Sequence, residues 1–217
     1  MSRLSRFTPA EPSRLRDEIA AAAARMIAED GLDYATAKRK AARQLLGDDH
    51  ASRFWLPDND QIEAEVRTYQ AIFYGESQPA VLRRLREIAL DWMRRLAPFR
   101  PYLTGAVLNG TASEHSDIHL QVFCDNPKEV AIYLLNAHVQ YQLSETSHFA
   151  ARGRVETLSF LWQASHDDAP VGIHVALYDT DDLRGAVRAG AGGRIQRASA
   201  QAVQALLDNA PDNDSTL

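Results

Sequence analysis

The fold is decided by one stretch of the sequence, Leu103-Thr-Gly-Ala-Val-Leu-Asn-Gly-Thr-Ala-Ser-Glu-His-Ser-Asp-Ile-His-Leu-Gln-Val-Phe123. Its apolar ends predict two strands joined by a glycine-bearing loop. Successive side chains of a strand point to opposite faces, so Asp117 and His119 should share one face, while Ile118 and Leu120 share the other. A sheet that presents two polar side chains in this way is a candidate binding site.

The sequence before this stretch predicts four helices. Apolar residues recur there at three- and four-residue spacing, and the periodic runs end at glycine or proline, the usual helix terminators. The predicted helices cover residues 13–31, 33–46, 59–74 and 78–97.

The rest of the chain predicts a small sheet with flanking helices. Strands are predicted over 102–108, 117–123, 138–146, 154–164 and 171–178, and helices over 127–137 and 199–207. We therefore predict an α+β fold with an N-terminal helical segment over residues 1–77. A domain with a small mixed β-sheet and flanking helices follows over residues 78–207, and residues 208–217 are a disordered tail.

The composition is that of a globular protein of a reducing compartment. The 217 residues, 45% apolar and 24% charged, suffice for one large domain or two small ones. Cys124 is the only cysteine, which excludes an internal disulfide. No apolar run is long enough to cross a bilayer, and the first residues lack the pattern of a signal peptide. We expect a cytoplasmic protein with no membrane partner.

The first two helices carry a weak signal for DNA binding. Their junction, Gly31-Leu-Asp-Tyr-Ala-Thr-Ala-Lys-Arg-Lys-Ala-Ala42, somewhat resembles the opening of TetR-type domains, which place a recognition helix next. The following residues, Gly47-Asp-Asp-His-Ala-Ser-Arg-Phe-Trp-Leu-Pro57, lack the pattern of such a helix. The net charge of -5 does not favour nucleic acid either. We interpret Lys38–Arg43 as a solvated helix face and do not expect DNA as a partner.

The central stretch resembles the nucleotidyltransferase superfamily of the DNA polymerase beta type. Members carry glycine followed by Ser or Gly after one strand, an Asp-x-Asp or Asp-x-Glu pair on the next, and often a third carboxylate on a later strand. Thr104-Gly-Ala and Asp117-Ile-His119 match in spacing and in strand context, and the resemblance covers about residues 80–178. It implies a sheet of nucleotidyltransferase type, Mg²⁺ or Mn²⁺ as cofactor, and a nucleoside triphosphate as substrate.

The resemblance also assigns a phosphate-binding role to four residues. Gly105 and Ala106 would let the phosphates approach the backbone, although Ala106 lacks the hydroxyl that the family prefers there. His115 and Ser116, in the loop before the second strand, would contribute further contacts to the nucleotide.

Catalysis would fall to Asp117 and His119, and metal binding to Asp117, His119 and His174. Asp117 matches the first carboxylate of the family and would hold the metal, while His119 stands in place of the second and His174 stands on the strand expected to carry the third. An imidazole removes a negative charge and offers nitrogen to a cation that prefers oxygen. The active site is therefore atypical.

Three interpretations remain open at this point. In the first, the domain has lost Mg²⁺-dependent transfer and binds a ligand or a protein partner. In the second, it transfers a nucleoside monophosphate to a hydroxyl of an unknown acceptor, using Asp117 with Glu114 or Asp179. Alternatively, Asp117, His119 and His174 form a two-histidine, one-carboxylate site for a transition metal such as Fe²⁺, Mn²⁺ or Zn²⁺.

Overall fold

The computed structural model describes residues 11–47, 56–150, 152–166, 168–186 and 196–210. Within these ranges the helices are α1 (Glu11–Asp30), α2 (Tyr34–Leu46), α3 (Asn59–Phe73), α4 (Gln78–Arg95), α5 (Gly105–Asn109), α6 (Pro127–Asn136), α7 (Leu183–Ala186) and α8 (Ala200–Asp208). The strands are β1 (Tyr102–Thr104), β2 (Ile118–Phe123), β3 (Gln142–Ser147), β4 (Arg154–Trp162) and β5 (Val171–Tyr178). The predicted α+β class is confirmed.

The chain divides into two compact units. The first comprises residues 1–79 with 113–115, and the second comprises 80–112 with 116–217. Most of the predicted tail, residues 211–217, lies outside the described ranges. None of the described helices is both long and apolar enough to cross a membrane.

The first unit is built from α1, α2 and α3, whose contact surfaces carry small residues. Asp33 caps α2 by accepting hydrogen bonds from the N–H groups of Ala35 and Thr36. Asp58 and Gln61 form a reciprocal capping box at the start of α3. The fully buried apolar side chains of this unit include Ile19, Ala23, Ala37, Ala41, Ala42, Ile62 and Val66.

The second unit is built on a five-stranded sheet in the order β1-β2-β5-β4-β3. The two neighbours β2 and β5 are parallel, and every other pair of adjacent strands is antiparallel. One face of the sheet joins α4, α6 and α8 in the main core of this unit. The buried members of that core include Trp92, Ile118, Leu120, Leu134, Leu158, Ile173, Val175 and Val203.

The first strand of the sheet is shorter than predicted. The sequence predicted a strand over 102–108, but β1 ends at Thr104 and residues 105–109 form the short helix α5. Gly105 turns the chain with a φ of +73°, and Gly110 closes the helical turn in the left-handed conformation. The apolar residues Val107 and Leu108, which suggested a strand, are instead the buried side of this turn.

The strand β3 also begins later than predicted. The sequence predicted a strand from residue 138, but β3 starts at Gln142. His138 has a φ of +57°, and the N–H of Val139 bonds back to the carbonyl of Leu134. The C-terminal turn of α6 therefore extends past Asn136, because backbone groups at a helix end are satisfied by such a reversal.

The side chain of Arg86 holds α5 in place by hydrogen bonds to backbone carbonyl groups of that helix. Its half-buried guanidinium donates to the carbonyl oxygens of Val107 at 3.1 Å and Leu108 at 3.2 Å. We expect Arg86→Ala to lower the free energy of unfolding by about 2 kcal/mol, because two carbonyls lose a charged donor. Urea unfolding followed by tryptophan fluorescence measures the change.

The matched control for this variant is Arg83→Ala on the same helix. Arg83 forms an exposed pair with Glu87 at 3.1 Å, and such pairs contribute less than about 1 kcal/mol. Equal losses in the two variants would contradict a role of Arg86 in holding α5.

Candidate functional site

A row of polar residues crosses the sheet on the face opposite the main core. The strand register pairs Thr104 with His119, His119 with His174, His174 with Ser159, and Ser159 with Gln142. Residues paired across neighbouring strands project to the same side of a sheet. The row therefore contains one residue from each of the five strands.

A continuous hydrogen-bonded chain joins Asp117, His174 and Ser159. The Nε2 atom of His174 lies 3.0 Å from Oδ2 of Asp117, and its Nδ1 atom lies 2.8 Å from Oγ of Ser159. An ionised carboxylate only accepts hydrogen bonds, so the proton of the neutral ring sits on Nε2. Nδ1 is then the acceptor, and the hydroxyl of Ser159 donates to it.

His119 lies directly against this chain. Its ring stacks on that of His174, with 4.8 Å between centroids and 16° between planes. Asp117 immediately precedes β2 and reaches the same side of the sheet through its bond to His174. The prediction that Asp117 and His119 share a face is confirmed.

Gly172 makes room for the carboxylate of Asp117. A Cβ atom at position 172 would overlap Oδ1 of Asp117 and would lie 2.6 Å from its Cγ. The backbone N–H of Gly172 also donates to this carboxylate. Only a residue without a side chain permits so close an approach of backbone and carboxylate.

The surroundings of Asp117 favour its ionised form. The hydrogen bond from His174 is the main cause that holds the pKa of Asp117 below its ordinary value, and partial burial opposes it. The nearby imidazoles and the N–H of Gly172 lower the pKa further. The carboxylate therefore remains available to orient His174 over a wide pH range.

The hydrogen-bonded chain opens into a groove of about 840 Å³. Asp117, His174 and Ser159 line one part of it, and Tyr141 and Trp162, which are partly buried against the main core, line another. The groove belongs entirely to the second unit, and its volume is in the range of small-molecule sites.

The predicted phosphate-binding residues Gly105 and Ala106 lie at the junction of β1 and α5. A Cβ at Gly105 would lie 3.7 Å from the ring of His119, so Gly105 borders the polar row. Ala106 packs instead against the main core. Thr104 donates through its hydroxyl to the carbonyl of His119 at 3.3 Å, which ties the junction to β2.

The structure separates the other two predicted phosphate-binding residues. Ser116 belongs to the second unit, next to Asp117, whereas His115 belongs to the first. His115 lies against Gly31, because a Cβ atom added at Gly31 would lie 2.7 Å from the Cβ atom of His115. The Nε2 atom of His115 lies 3.5 Å from the carboxylate of Glu114.

The side chains predicted to bind metal are close together but not directed at a common point. Both ring nitrogens of His174 are used by Asp117 and Ser159. Within the described ranges, no group of three or more His, Cys, Asp or Glu side chains is arranged to hold a metal ion. Metal binding by His174 would require one of its two hydrogen bonds to break.

A second histidine–aspartate pair, His148 with Asp182, is buried and differs from the pair of His174 with Asp117. His148 is 8% exposed, and its Nε2 lies 3.1 Å from Oδ2 of Asp182, which also pairs with Arg152. Its Nδ1 accepts a hydrogen bond from the backbone N–H of Ala150. This pair is enclosed and joined to the backbone, whereas His174 joins a carboxylate to a hydroxyl beside a groove.

Three residues of the site were missed by the sequence analysis. Ser159 and Gln142 lie on strands whose register with β5 is set by tertiary contacts, and Gly172 gives no signal of its proximity to Asp117. A weak signal existed for Ser159, because it is the polar residue between Leu158 and Phe160 and alternation places it away from the core.

Comparison with protein-family models, with curated proteins and with solved structures finds no match to this chain.

We expect Gly172→Ala to displace the Asp117 carboxylate and break its bond to His174, because the new methyl group would occupy the space of Oδ1. The imidazole ¹⁵N resonances of His174 should then lose the signature of a fixed Nε2–H tautomer. The matched control is Gly185→Ala, since a Cβ at Gly185 would meet no atom of the described part of the chain within 4 Å. Unchanged His174 resonances in Gly172→Ala would contradict the contact.

We expect the pKa of Asp117 to lie below the ordinary 3.8 and to rise when His174 is replaced by phenylalanine. Because the native pKa is depressed, the carboxylate stabilises the fold above pH 3.8 and loses this effect as the pH falls through its native pKa. Carboxyl ¹³C NMR titration of the wild type and His174→Phe measures both values. A wild-type pKa at or above 3.8 would show that the hydrogen bond does not favour the ionised form.

Proposed function

We propose that the second unit is a divergent nucleotidyltransferase-like domain that binds a nucleoside triphosphate on the polar face of its sheet. The observation that carries the proposal is the row in which His119 and His174 stand side by side on the parallel strands β2 and β5, next to Gly105 and Asp117. One carboxylate and two imidazoles would then occupy the positions at which the family has carboxylates.

The order of the elements supports this proposal. A strand leads into a glycine with positive φ, a short helix follows, and the next strand carries Asp117-Ile-His119 at its start. The position that the resemblance assigns to a third acid is His174, which pairs directly with His119. These correspondences concern position and sequence order, and they do not depend on the identity of the side chains.

The groove supports a nucleotide as the ligand. Tyr141 lines the groove and is only partly buried, so its ring would offer an aromatic surface for a base. Gln142 also lines the groove, directly opposite Ser159, and its amide N–H groups are donors suited to phosphate oxygens.

The side chains do not fit a resident pair of magnesium ions. Such a site needs several oxygen ligands, and the row supplies a single carboxylate whose Oδ2 is already bound to His174. Asp117 is better suited to face a cation that arrives with the triphosphate as part of the substrate. The function proposed here is therefore nucleotide binding, with any transfer relying on the side chains of the chain itself.

Titration calorimetry with ATP, GTP, CTP and UTP, each in Mg²⁺, in Mn²⁺ and in EDTA, tests the proposal. We expect saturable binding of at least one cation–triphosphate complex and at least about tenfold weaker binding by Asp117→Asn, because a charge-assisted contact is lost.

The matched control is Glu145→Gln, an exposed carboxylate of the same sheet that pairs with Arg154. Its binding should equal that of the wild type. If the wild type binds none of the four triphosphates under any of the three conditions, the proposed function is wrong.

A further inference from the structure

We propose that Ser159 is a nucleophile that attacks an electrophilic phosphorus atom bound in the groove, with His174 as its base and Asp117 as the residue that positions the base. The reactivity of Ser159 follows from the geometry around it. The choice of a phosphorus electrophile rests on the proposed function, since a nucleoside triphosphate contains such an atom.

The hydroxyl of Ser159 already donates to a basic nitrogen. The distance of 2.8 Å from Oγ to Nδ1 of His174 is within the range for direct proton transfer. The opposite nitrogen is held by Asp117 at 3.0 Å, which keeps the proton on Nε2 and leaves Nδ1 unprotonated. The nitrogens have the reverse of their usual roles in serine hydrolases, but the order of nucleophile, base and orienting carboxylate is the same.

The other hydroxyls described on this face of the sheet have different partners. Ser144 donates to the carbonyl of Thr157, Thr146 and Thr157 bond to each other at 2.9 Å, and Thr104 donates to the carbonyl of His119. None of these contacts joins a hydroxyl to an imidazole. Ser159 is therefore in a different chemical environment from its neighbours.

Residues on both sides of Ser159 can stabilise the charge that develops on the phosphoryl oxygens. Gln142 faces Ser159 directly across the β3–β4 pair and lines the groove, so its amide is a candidate donor. His174 lies on the other side with His119 stacked behind it. Donors placed near developing negative charge are a large part of catalysis in such sites.

The reaction balances without a further reagent. The Oγ–P bond forms as the bond from phosphorus to its leaving oxygen breaks, and pyrophosphate departs when the donor is a nucleoside triphosphate. The proton of Ser159 passes to Nδ1 of His174, and the carboxylate of Asp117 stabilises the resulting imidazolium. The product is the nucleoside monophosphate ester of Ser159.

A fluorophosphonate probe tests the nucleophile without any nucleotide. We expect the full chain in EDTA to incorporate one phosphonate at Ser159, as located by peptide mass spectrometry, and we expect no incorporation by Ser159→Ala. His174→Gln and Asp117→Asn should react at least about 100-fold more slowly, because they remove the base or its orientation.

The matched control is Ser144→Ala, which removes an exposed hydroxyl from the same face and should react at the wild-type rate. Circular dichroism and urea unfolding of every variant show whether a slow reaction reflects loss of the fold. A folded wild type that is not labelled, or that is labelled equally in Ser159→Ala, would overturn the nucleophile even if nucleotides bind.

A second arm, incubation with the four triphosphates and Mn²⁺, separates the two proposals. An adduct of one nucleoside monophosphate at Ser159, with release of pyrophosphate, supports both. Labelling of Ser159 by the fluorophosphonate without nucleotide binding would support Ser159 as a nucleophile. It would overturn both the proposed function and the nucleoside triphosphate as the phosphorus donor.

Discussion

The parallel pairing of β2 with β5 is the interaction on which the rest of the second unit depends. It places Ile118 beside Ile173 and Leu120 beside Val175 on the core face, and His119 beside His174 on the other. Because the period of a strand is two, a slip of one residue would move the histidines into the core and expose the aliphatic side chains. The hydrophobic requirement of one face therefore fixes the geometry of the other.

Glycine determines how closely the groups of the polar face can approach one another. Gly172 lets the carboxylate of Asp117 lie against the backbone of β5, where it can reach His174. Gly105 turns the chain at the end of β1 so that the backbone passes beside His119. Gly172 lacks a side chain because the carboxylate of Asp117 occupies that space, whereas Gly105 is favoured by its φ of +73°.

The polar face combines one carboxylate with two imidazoles, and this combination sets its electrostatics. Three carboxylates close together need cations to offset their repulsion. A single carboxylate between two imidazoles is compensated by them, and its pKa falls rather than rises. The arrangement is thus stabilised by hydrogen bonds through which Asp117, His174 and Ser159 orient one another.

Local sequence was sufficient to predict the α+β class, most of the helices and strands, and the shared face of Asp117 and His119, because these follow from local periodicity and from the alternation of strands. It also predicted β5 over Val171–Tyr178, where apolar and β-branched residues are dense. The strand prediction was wrong over residues 105–108 and 138–141. The residue types there favour a strand, but positive φ angles at Gly105 and His138 turn the chain out of the extended conformation.

Only the tertiary structure decided that Ser159 and Gln142 belong to the site. Their strands are neighbours in the sequence, but the order β2-β5-β4-β3 and its register bring them into line with His119 and His174. That register is selected by the burial of the opposite face against the helices, a property of the whole unit. Local sequence can show which side chains are polar, but not which of them share a hydrogen bond across strands.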